Sequence, residues 1–248
     1  AVVVASSSAM AVEKLKIGIS SEAYPPFSSQ NATNQWEGFE IDLLAALCKE
    51  MKVECKIVST AWDGIIPALK AKKIDAIFSS MSITADRSKV IDFSDKYYNT
   101  PTAIAVAKGS GIKPTPEGLA GKIIGVQGST IHEVYVNKYF AAGAAEVKVY
   151  ATQDEANQDL AAGRIDATQA DSITLQAFLD SDAGKACCES AGNVAPDAEV
   201  LGAGVGAGLR KGEDDLKAKI NKAIADIRAD GTYDAITAKY FASSIYGD

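Results

Sequence analysis

Apolar residues recur along the chain at spacings that predict alternating helices and strands. In residues 40–51 and 213–229 they fall three and four positions apart, which is the spacing of one face of a helix. Gly231 follows the second segment and predicts its end. Short apolar runs such as 76–78 and 122–126 predict strands between the helices. This alternation is typical of an α/β fold with parallel sheets and helices on both faces.

A short pattern occurs twice and predicts two similar lobes. Residues 69–76 (LKAKKIDA) and 160–167 (LAAGRIDA) share the form L-x-A-x-[KR]-I-D-A. Asp63 and Asp154 stand six residues before the first Leu of each copy, and they are predicted to cap a helix because Asp is a favoured N-cap residue. Each copy therefore predicts a capped helix, a basic turn and a short strand.

Two breaks in the pattern predict two crossings of the chain between the lobes. The first break lies at residues 97–101, and the second, which is rich in Gly, Ala and Pro, at residues 191–204. The predicted hinges lie near residues 99–103 and 196–204, lobe 1 comprises residues 12–100 and 203–248, and lobe 2 comprises residues 101–202.

Composition excludes several classes of partner. The 248 residues carry a net charge of −7 and are 47% hydrophobic, values that are ordinary for a soluble globular protein. No basic cluster suited to a phosphate backbone is present, so we expect no nucleic-acid partner. No run reaches the roughly 18 apolar residues that span a bilayer, so we expect a chain that is not itself membrane-spanning.

The first residues indicate export. Residues 1–5 are apolar, and Ala9-Met10-Ala11 has the small-x-small form of a signal-peptidase site. Residues 1–11 are therefore predicted to be a signal remnant, with an expression tag as the alternative. An export signal and an even number of cysteines agree on an oxidising compartment.

The four cysteines fall into two pairs. Cys48 and Cys55 lie seven residues apart, where a helix end followed by a strand start could bring them within disulfide range. Cys187 and Cys188 are adjacent, and they could form a strained vicinal bridge, remain free or pair between chains. Neither a Cys-x-x-Cys pair nor a His-rich cluster accompanies them, so we expect no metal site.

The densest polar cluster follows the predicted strand 76–78, and ligands bind α/β sheets at such strand ends. It holds three serines, Ser79, Ser80 and Ser82. Thr84 is predicted to cap the next helix, whose amino end favours an anion. Arg87 falls in the first turn of that helix and can grip a carboxylate with two parallel bonds. The alternative is a Ser-rich turn with a surface Arg.

The second copy of the pattern offers the opposite charge. Asp171 stands where Ser80 stands in the first copy, and an acid at a strand end can hold an ammonium group. The alternative role of Asp171 is a helix N-cap. Thr130 follows Gly128 and Ser129, leads into another helix and forms a second anion-binding edge. Together the two lobes fit the carboxylate and the ammonium of an amino acid.

Aromatic residues near the strand ends could line the same cleft. Tyr24 and Phe27 follow the first strand and Trp62 precedes a helix, positions that suit either the core or a stack on a cationic side chain. His132 is the only histidine, which excludes most His-based catalysis, and we expect it on the surface of a helix. The Gly-rich run 202–208 lacks the elements of a phosphate loop and is interpreted as a crossing and a strand.

A series of motifs occurs in one order along the chain: Tyr24–Phe27 (YPPF), Gly38–Leu43 (GFEIDL), Cys48 and Cys55, Trp62–Pro67 (WDGIIP), Lys72–Ile77 (KKIDAI), Ser79–Arg87, Gly125–Thr130 (GVQGST), Asp230–Tyr233 (DGTY) and Tyr246–Asp248 (YGD). In this order they resemble the periplasmic polar amino-acid-binding proteins of ABC importers, near the branch that binds lysine, arginine, ornithine and histidine. The resemblance implies a two-lobed α/β periplasmic binding protein of type II, with two hinge crossings and the ligand in the cleft between the lobes.

The resemblance also implies roles for single residues. Arg87, Ser82 and Thr130 would bind the ligand carboxylate, Asp171 and Ser80 its ammonium, Tyr24 and Trp62 would stack on its side chain with Ser79 near the distal end, and Cys48 and Cys55 would form a disulfide. The basic-ligand branch carries an acid shortly before the tyrosine. Here the segment is one residue longer, and Glu22 could replace that acid.

The resulting expectation is an extracytoplasmic solute-binding protein that closes on a free L-amino acid and delivers it to the membrane subunits of an ABC transporter. The expected ligand is cationic: arginine, then lysine or ornithine. Histidine, glutamine and opine-type derivatives are the alternatives, and a dehydratase on the same fold is the enzymatic alternative. We expect no enzyme activity, no cofactor, a monomer and a periplasmic location.

Overall fold

The computed structural model describes residues 12–247, so the expected signal remnant at residues 1–11 lies outside the described residues. The strands are β1 (Lys14–Ser20), β2 (Ser29–Gln30), β3 (Trp36–Glu37), β4 (Glu54–Thr60), β5 (Ala76–Ile77), β6 (Asp92–Tyr98), β7 (Thr102–Ala107), β8 (Ile123–Gln127), β9 (Glu146–Tyr150), β10 (Ala167–Asp171), β11 (Cys188–Asn193) and β12 (Val205–Leu209). The helices are α1 (Phe39–Met51), α2 (Ile65–Lys70), α3 (Ala85–Ser88), α4 (Ile131–Tyr139), α5 (Gln153–Ala161), α6 (Ser172–Leu179), α7 (Asp182–Cys187), α8 (Ala198–Leu201), α9 (Asp214–Ala229) and α10 (Thr232–Tyr240), and a 3-10 turn at Trp62–Gly64 precedes α2. The two helices predicted from apolar spacing are α1 and α9.

Two five-stranded sheets form the two lobes. The spatial order is β4-β1-β5-β12-β6 in the first sheet and β9-β8-β10-β7-β11 in the second. In the first sheet β1 pairs in parallel with β4 and β5, and in the second β8 pairs in parallel with β9 and β10. The two-lobed α/β fold is confirmed, and the strand orders match element by element.

One strand in each sheet, β12 or β7, runs antiparallel to both of its neighbours, which the helix–strand alternation did not predict. β12 pairs antiparallel with β5 and β6, and β7 pairs antiparallel with β10 and β11. β7 and β12 are the first strands after the chain has passed from one sheet to the other. A strand that enters a sheet where the parallel strands end must run in the opposite direction. The predicted lobe boundaries, after residue 100 and before residue 203, remain a proposal.

The Asp of the repeated pattern connects two parallel strands in each lobe, β5 to β1 in lobe 1 and β10 to β8 in lobe 2. The backbone N–H of Lys16 donates to Asp75 Oδ2 at 2.8 Å, and the backbone N–H of Ile123 donates to Asp166 Oδ2 at 2.7 Å. The Asp of each copy therefore satisfies a backbone donor at the start of the first strand, which explains why both copies carry Asp at this position.

The Ile of each copy packs against a glycine in the first strand. A Cβ on Gly18 would lie 2.3 Å from Ile74 Cδ1, and a Cβ on Gly125 would lie 2.5 Å from Ile165 Cδ1. Such distances are shorter than any ordinary carbon contact, so only glycine leaves room for the Ile side chain. The two lobes thus share a side-chain contact as well as a strand order.

The helix caps differ from the sequence prediction. Thr152 caps α5, because its Oγ1 accepts from the Glu155 N–H at 3.1 Å while the Glu155 carboxylate accepts from the Thr152 N–H at 3.0 Å. Asp154 therefore lies inside the first turn. Asp63 lies in the 3-10 turn, and α2 follows Gly64 without a side-chain cap. The prediction of Asp caps was wrong because each helical segment begins before its Asp.

Disulfides join both cysteine pairs. Cys48 at the end of α1 is bonded to Cys55 in β4 with a Cα–Cα distance of 6.1 Å, as the resemblance implies. Cys187 is bonded to Cys188 at the junction of α7 and β11. Phe27 belongs to the core of lobe 1, where it stacks on Tyr98 with ring centroids 4.6 Å apart. Within residues 12–247, no helix has both the length and the apolar character to cross a membrane.

Candidate ligand-binding site

A cavity lies between the lobes, at the ends of β1, β5, β8 and β10. All nine residues predicted to face a ligand line it: Glu22, Tyr24, Trp62, Ser79, Ser80, Ser82, Arg87, Thr130 and Asp171. The structure thus brings together side chains from both lobes that are far apart in sequence. Their roles toward a ligand stay predictions.

Arg87 is placed by a capped turn in lobe 1. Thr84 caps α3, because its Oγ1 accepts from the Arg87 backbone N–H at 3.2 Å. The guanidinium Nη1 donates to the Ser82 carbonyl at 3.0 Å, and its carbon lies 5.5 Å from the centre of the Trp62 ring. Burial lowers the pKa of Arg87 to about 10. The guanidinium therefore stays cationic at neutral pH, and its direction is fixed by two contacts of its own and one of the Arg87 backbone.

Asp171 occupies the matching strand end in lobe 2. It stands at the N-cap position of α6, but its side chain makes no cap hydrogen bond and turns toward the cavity instead. The Tyr24 hydroxyl donates to Oδ2 at 2.6 Å, and the Thr100 hydroxyl donates to Oδ1 at 2.9 Å. Burial acts to raise the pKa of Asp171, but the nearby His132 ring and the two hydroxyls outweigh it, so the pKa lies below its usual range.

A buried carboxylate supports the serine cluster from below. Glu40, at the start of α1, accepts from the Ser80 backbone N–H at 2.6 Å and from the Ser80 hydroxyl at 3.0 Å, and it also accepts from the Tyr97 hydroxyl. Burial raises the pKa of Glu40. The Ser80 backbone N–H and hydroxyl both donate to Glu40, so the Ser80 oxygens face the cavity only as hydrogen-bond acceptors. Ser79 is anchored as well, because its Oγ accepts from the Ser20 N–H at 2.8 Å.

Thr130 forms the matching edge in lobe 2. Its hydroxyl donates to the Gln127 carbonyl at 2.7 Å and accepts from the Glu133 N–H at 3.2 Å, which caps α4. The cavity therefore borders the amino end of α4, where backbone N–H groups and the helix dipole favour an anion.

Two aromatic residues close the cavity from lobe 1. The Trp62 Nε1–H donates across the cleft to the Ser129 carbonyl at 3.1 Å, and Tyr24 reaches Asp171 as described above. Glu22 accepts from the Trp62 backbone N–H at 3.2 Å and from the Ser20 hydroxyl. Glu22 lines the same cavity, so its carboxylate group lies beside Trp62 at the cavity wall.

The predicted surface position of His132 is wrong. The residue is 4% exposed, lines the cavity, and places Nε2 at 3.8 Å from Asp171 Oδ2. The structure adds further lining residues that sequence reasoning did not select: Ser20, Ala23, Gln127 and Ile131. One signal could have found His132, namely its place in the first turn of a helix whose cap, Thr130, was already predicted to face the cleft.

The chain is similar to amino-acid-binding proteins over most of its length. The family model of the bacterial extracellular solute-binding proteins, family 3, matches residues 15–243. The lysine/arginine/ornithine-binding periplasmic protein of Escherichia coli (strain K12) is 46% identical over 246 residues, covering 98% of this chain and 94% of that protein. The L-arginine-binding protein of Pseudomonas aeruginosa is 45% identical over 234 residues, covering 94% of this chain and 90% of that protein.

A solved structure is similar as well. An ancestral arginine-binding protein bound to arginine matches with a TM-score of 0.83 and 37% sequence identity, covering 92% of this chain and 98% of that one. Motifs, strand order and overall similarity therefore point to the same group of proteins.

Proposed function

Because the chain belongs to the bacterial extracellular solute-binding proteins of family 3, we propose that it captures one free cationic L-amino acid, arginine foremost, in the cavity between its lobes. The protein would then present the amino acid to the membrane subunits of an ABC importer. The family resemblance inferred from the motifs is confirmed by the match over residues 15–243.

The main support for this proposal is that a guanidinium and a carboxylate face one cavity from opposite lobes. Arg87 comes from lobe 1, and Asp171 comes from lobe 2. A free amino acid carries the complementary groups, a carboxylate and an ammonium, on one carbon atom. Charge-assisted hydrogen bonds of this kind are stronger than neutral ones, and they gain further strength where water is excluded.

The remaining walls support a cationic side chain. Tyr24 and Trp62 offer aromatic faces, which attract guanidinium and ammonium groups. Glu22 adds a carboxylate beside Trp62. The names of two similar proteins, the L-arginine-binding protein and the lysine/arginine/ornithine-binding protein, support the same ligand class.

Closure of the lobes would complete the site. Contacts such as Trp62 Nε1–H to the Ser129 carbonyl join lobe 1 to lobe 2, so they can form only when the cleft is shut. We place the bending at residues 99–103 and 196–204, where the chain passes between the sheets. Domain closure about short hinge segments is a common way to enclose a ligand. We further propose that the protein acts as a monomer in the periplasm.

A thermal-shift screen tests the ligand class. The purified protein is heated with each of the twenty common amino acids, with ornithine and with opines. A ligand that binds only the native state at 100 times its Kd stabilises it by about 2.7 kcal/mol. We expect the largest rise in melting temperature with L-arginine and a smaller one with lysine or ornithine. A rise with glutamine or histidine but none with arginine would refute the cationic assignment.

Mass spectrometry separates a binder from a dehydratase. A dehydratase needs a general acid over the leaving group of its substrate, and Glu22 is the acid that is not already assigned to an ammonium. Incubation with prephenate and arogenate is expected to leave both unchanged. Turnover that disappears in Glu22→Gln would establish an enzyme instead.

A further inference from the structure

A histidine lies beside the proposed ammonium site, and the proposed function does not use it. His132 is in the first turn of α4 and lines the cavity. Its Nε2 lies 3.8 Å from Asp171 Oδ2, and both side chains are buried. This distance suits an ion pair but is longer than a hydrogen bond.

The other ring nitrogen of His132 has no hydrogen-bond partner within residues 12–247, although it is buried. A neutral imidazole has one donor and one acceptor nitrogen, whereas the protonated ring has two donors. If Nε2–H faces Asp171, the buried Nδ1 is an unpaired acceptor in the neutral ring. Protonation would turn Nδ1 into an unpaired donor and would add a positive charge next to Asp171.

We propose that His132 couples ligand binding to protonation: the amino acid binds when this ring is neutral and is released more readily when the ring is charged. The reason is that the imidazolium and the ligand ammonium would compete for the one carboxylate of Asp171. Two cations in an enclosed cavity also repel each other with little screening by water. The proposal rests on the proposed function, because it assumes a ligand that carries an ammonium group.

Three other groups that face the cavity, Asp171, Tyr24 and Arg87, each keep one charge state between pH 5 and pH 8. The pKa of Asp171 lies below its usual range, and the pKa of Tyr24 lies well above its usual value, chiefly because of burial. Arg87, with a pKa of about 10, stays charged. Further charged or titratable side chains on α4 and the elements around it are Glu22, Glu40, Glu133, Tyr135, Lys138, Tyr139, Glu146, Lys148, Tyr150, Asp197 and Glu199.

The chain offers a clean test, because His132 is its only histidine. Arginine affinity is measured by calorimetry from pH 5 to pH 8 for the wild type and for His132→Gln. Glutamine can place an amide near the Nε2 position and does not titrate. We expect the wild-type affinity to fall by about tenfold or more toward pH 5, where a histidine changes charge. We expect the His132→Gln affinity to change by less than about threefold over the same range.

A matched ligand provides the control. In the α-hydroxy analogue of arginine a hydroxyl replaces the ammonium, so the imidazolium has no cation to repel. We expect its binding to the wild type not to weaken in acid. An equal acid loss in the His132→Gln variant, or with the analogue, would overturn the proposal and assign the proton to another group, such as Glu40.

NMR of the single imidazole keeps the proposal testable if His132→Gln fails to fold. Arginine is expected to suppress protonation of the ring in the wild type, so that adding arginine in acid moves the imidazole signals toward those of the neutral form. Unchanged titration in the presence of saturating arginine would overturn the proposal. Failure of the proposed function looks different, because arginine would then not bind at pH 8 either.

Discussion

The two lobes use one scaffold and present opposite charges to the cavity between them. Their sheets share the order of the parallel strands, β4-β1-β5 in lobe 1 and β9-β8-β10 in lobe 2. Four residues after the matching alanines Ala76 and Ala167, lobe 1 has Ser80 and lobe 2 has Asp171. The position is the same in both lobes, but the residue type differs, so the cavity is lined by a serine in lobe 1 and by a carboxylate in lobe 2.

The difference extends to the residues behind these two positions. In lobe 1, Glu40 is buried beneath Ser80 and turns its charge into the lobe, while Arg87 faces the cavity. In lobe 2, Asp171 itself faces the cavity and His132 stands beside it. A repeated backbone therefore specifies where side chains stand, and a few differences in residue type place a guanidinium on one wall of the cavity and a carboxylate on the other.

Removing the charge of lobe 1 should have the largest effect. Arg87→Ala strips the ligand carboxylate of its partner in a closed site, and loss of one member of such a pair costs about 2–5 kcal/mol. We expect arginine affinity to fall by about 100-fold or more, measured by calorimetry at pH 8. Arg164→Ala is the control, since Arg164 is exposed and bonds to Asp159. Near-normal affinity of Arg87→Ala would contradict the assignment of this lobe.

Removing the charge of lobe 2 should have the next largest effect. Asp171→Asn keeps the shape of the side chain but loses the charge that would hold the ammonium, a loss of about 1.5–3 kcal/mol for a charged hydrogen bond. Arginine affinity should fall by about 10- to 100-fold. Asp180→Asn, at an exposed position, serves as the control. Equal losses for arginine and its α-hydroxy analogue would show that Asp171 does not recognise the ammonium.

The shared glycine–isoleucine contact predicts a stability loss of the same kind in both lobes. Gly18→Ala and Gly125→Ala should each destabilise the protein by about 1–3 kcal/mol, because the new Cβ overlaps an Ile Cδ1. Adding Ile74→Val or Ile165→Val deletes that methyl and should restore part of the loss, as measured in urea denaturation.

The rescue should be less complete in lobe 2. A Cβ on Gly125 would also lie 3.0 Å from Tyr150 Cε2, whereas the next neighbour of a Cβ on Gly18 is Ile65 Cγ1 at 3.5 Å. If the stability loss of each double variant equalled the sum of the losses of its two single variants, the glycine–isoleucine contact would not explain the loss.

The buried Glu40 predicts the smallest effect, a pH dependence of stability that originates in lobe 1. Burial raises the pKa of Glu40, so at intermediate pH the folded state holds a proton that the unfolded state has released. The stability from this group is full below the unfolded pKa of about 4.3 and is lost as the pH rises through the folded pKa.

Thermal unfolding between pH 4 and pH 8 measures this effect. We expect Glu40→Gln to lose less stability than the wild type as the pH rises, because the amide does not titrate. Glu199→Gln, at an exposed position in lobe 2, should follow the wild-type curve. A Glu40→Gln curve parallel to that of the wild type would contradict the prediction.

Several features of the fold were predictable because they depend on local periodicity. Apolar spacing gave α1 and α9 within two residues of their ends, and the repeated pattern gave two lobes with matching parallel strands. The helix caps predicted at Asp63 and Asp154 were wrong, because the helical segments begin earlier, after Ala61 and Thr152. The antiparallel direction of β7 and β12 depends on where the chain enters each sheet, and no local signal records this.

The candidate site was predictable where a motif fixed both residue type and position. Ser79, Ser82 and Arg87 lie in one short segment after a strand, so their grouping follows from the chain itself. His132 was misplaced because helical position alone does not reveal which face packs against the sheet and the other lobe. It is buried beside Asp171, which stands at the end of β10 and is far from α4 in sequence.

By itself, the sequence determined the α/β class, the two repeated lobes, the strand-end segments and the set of charged residues that could meet an amino acid. These are properties of spacing and residue type along one stretch of chain. Only the tertiary structure decided which side chains face each other across the cavity. Tyr24 and Asp171 are 147 residues apart, and they meet at 2.6 Å because two separately formed sheets close on one another. Packing within each lobe also brings distant segments together: it buries His132 beside Asp171 in lobe 2, and it buries Glu40 beneath Ser80 in lobe 1.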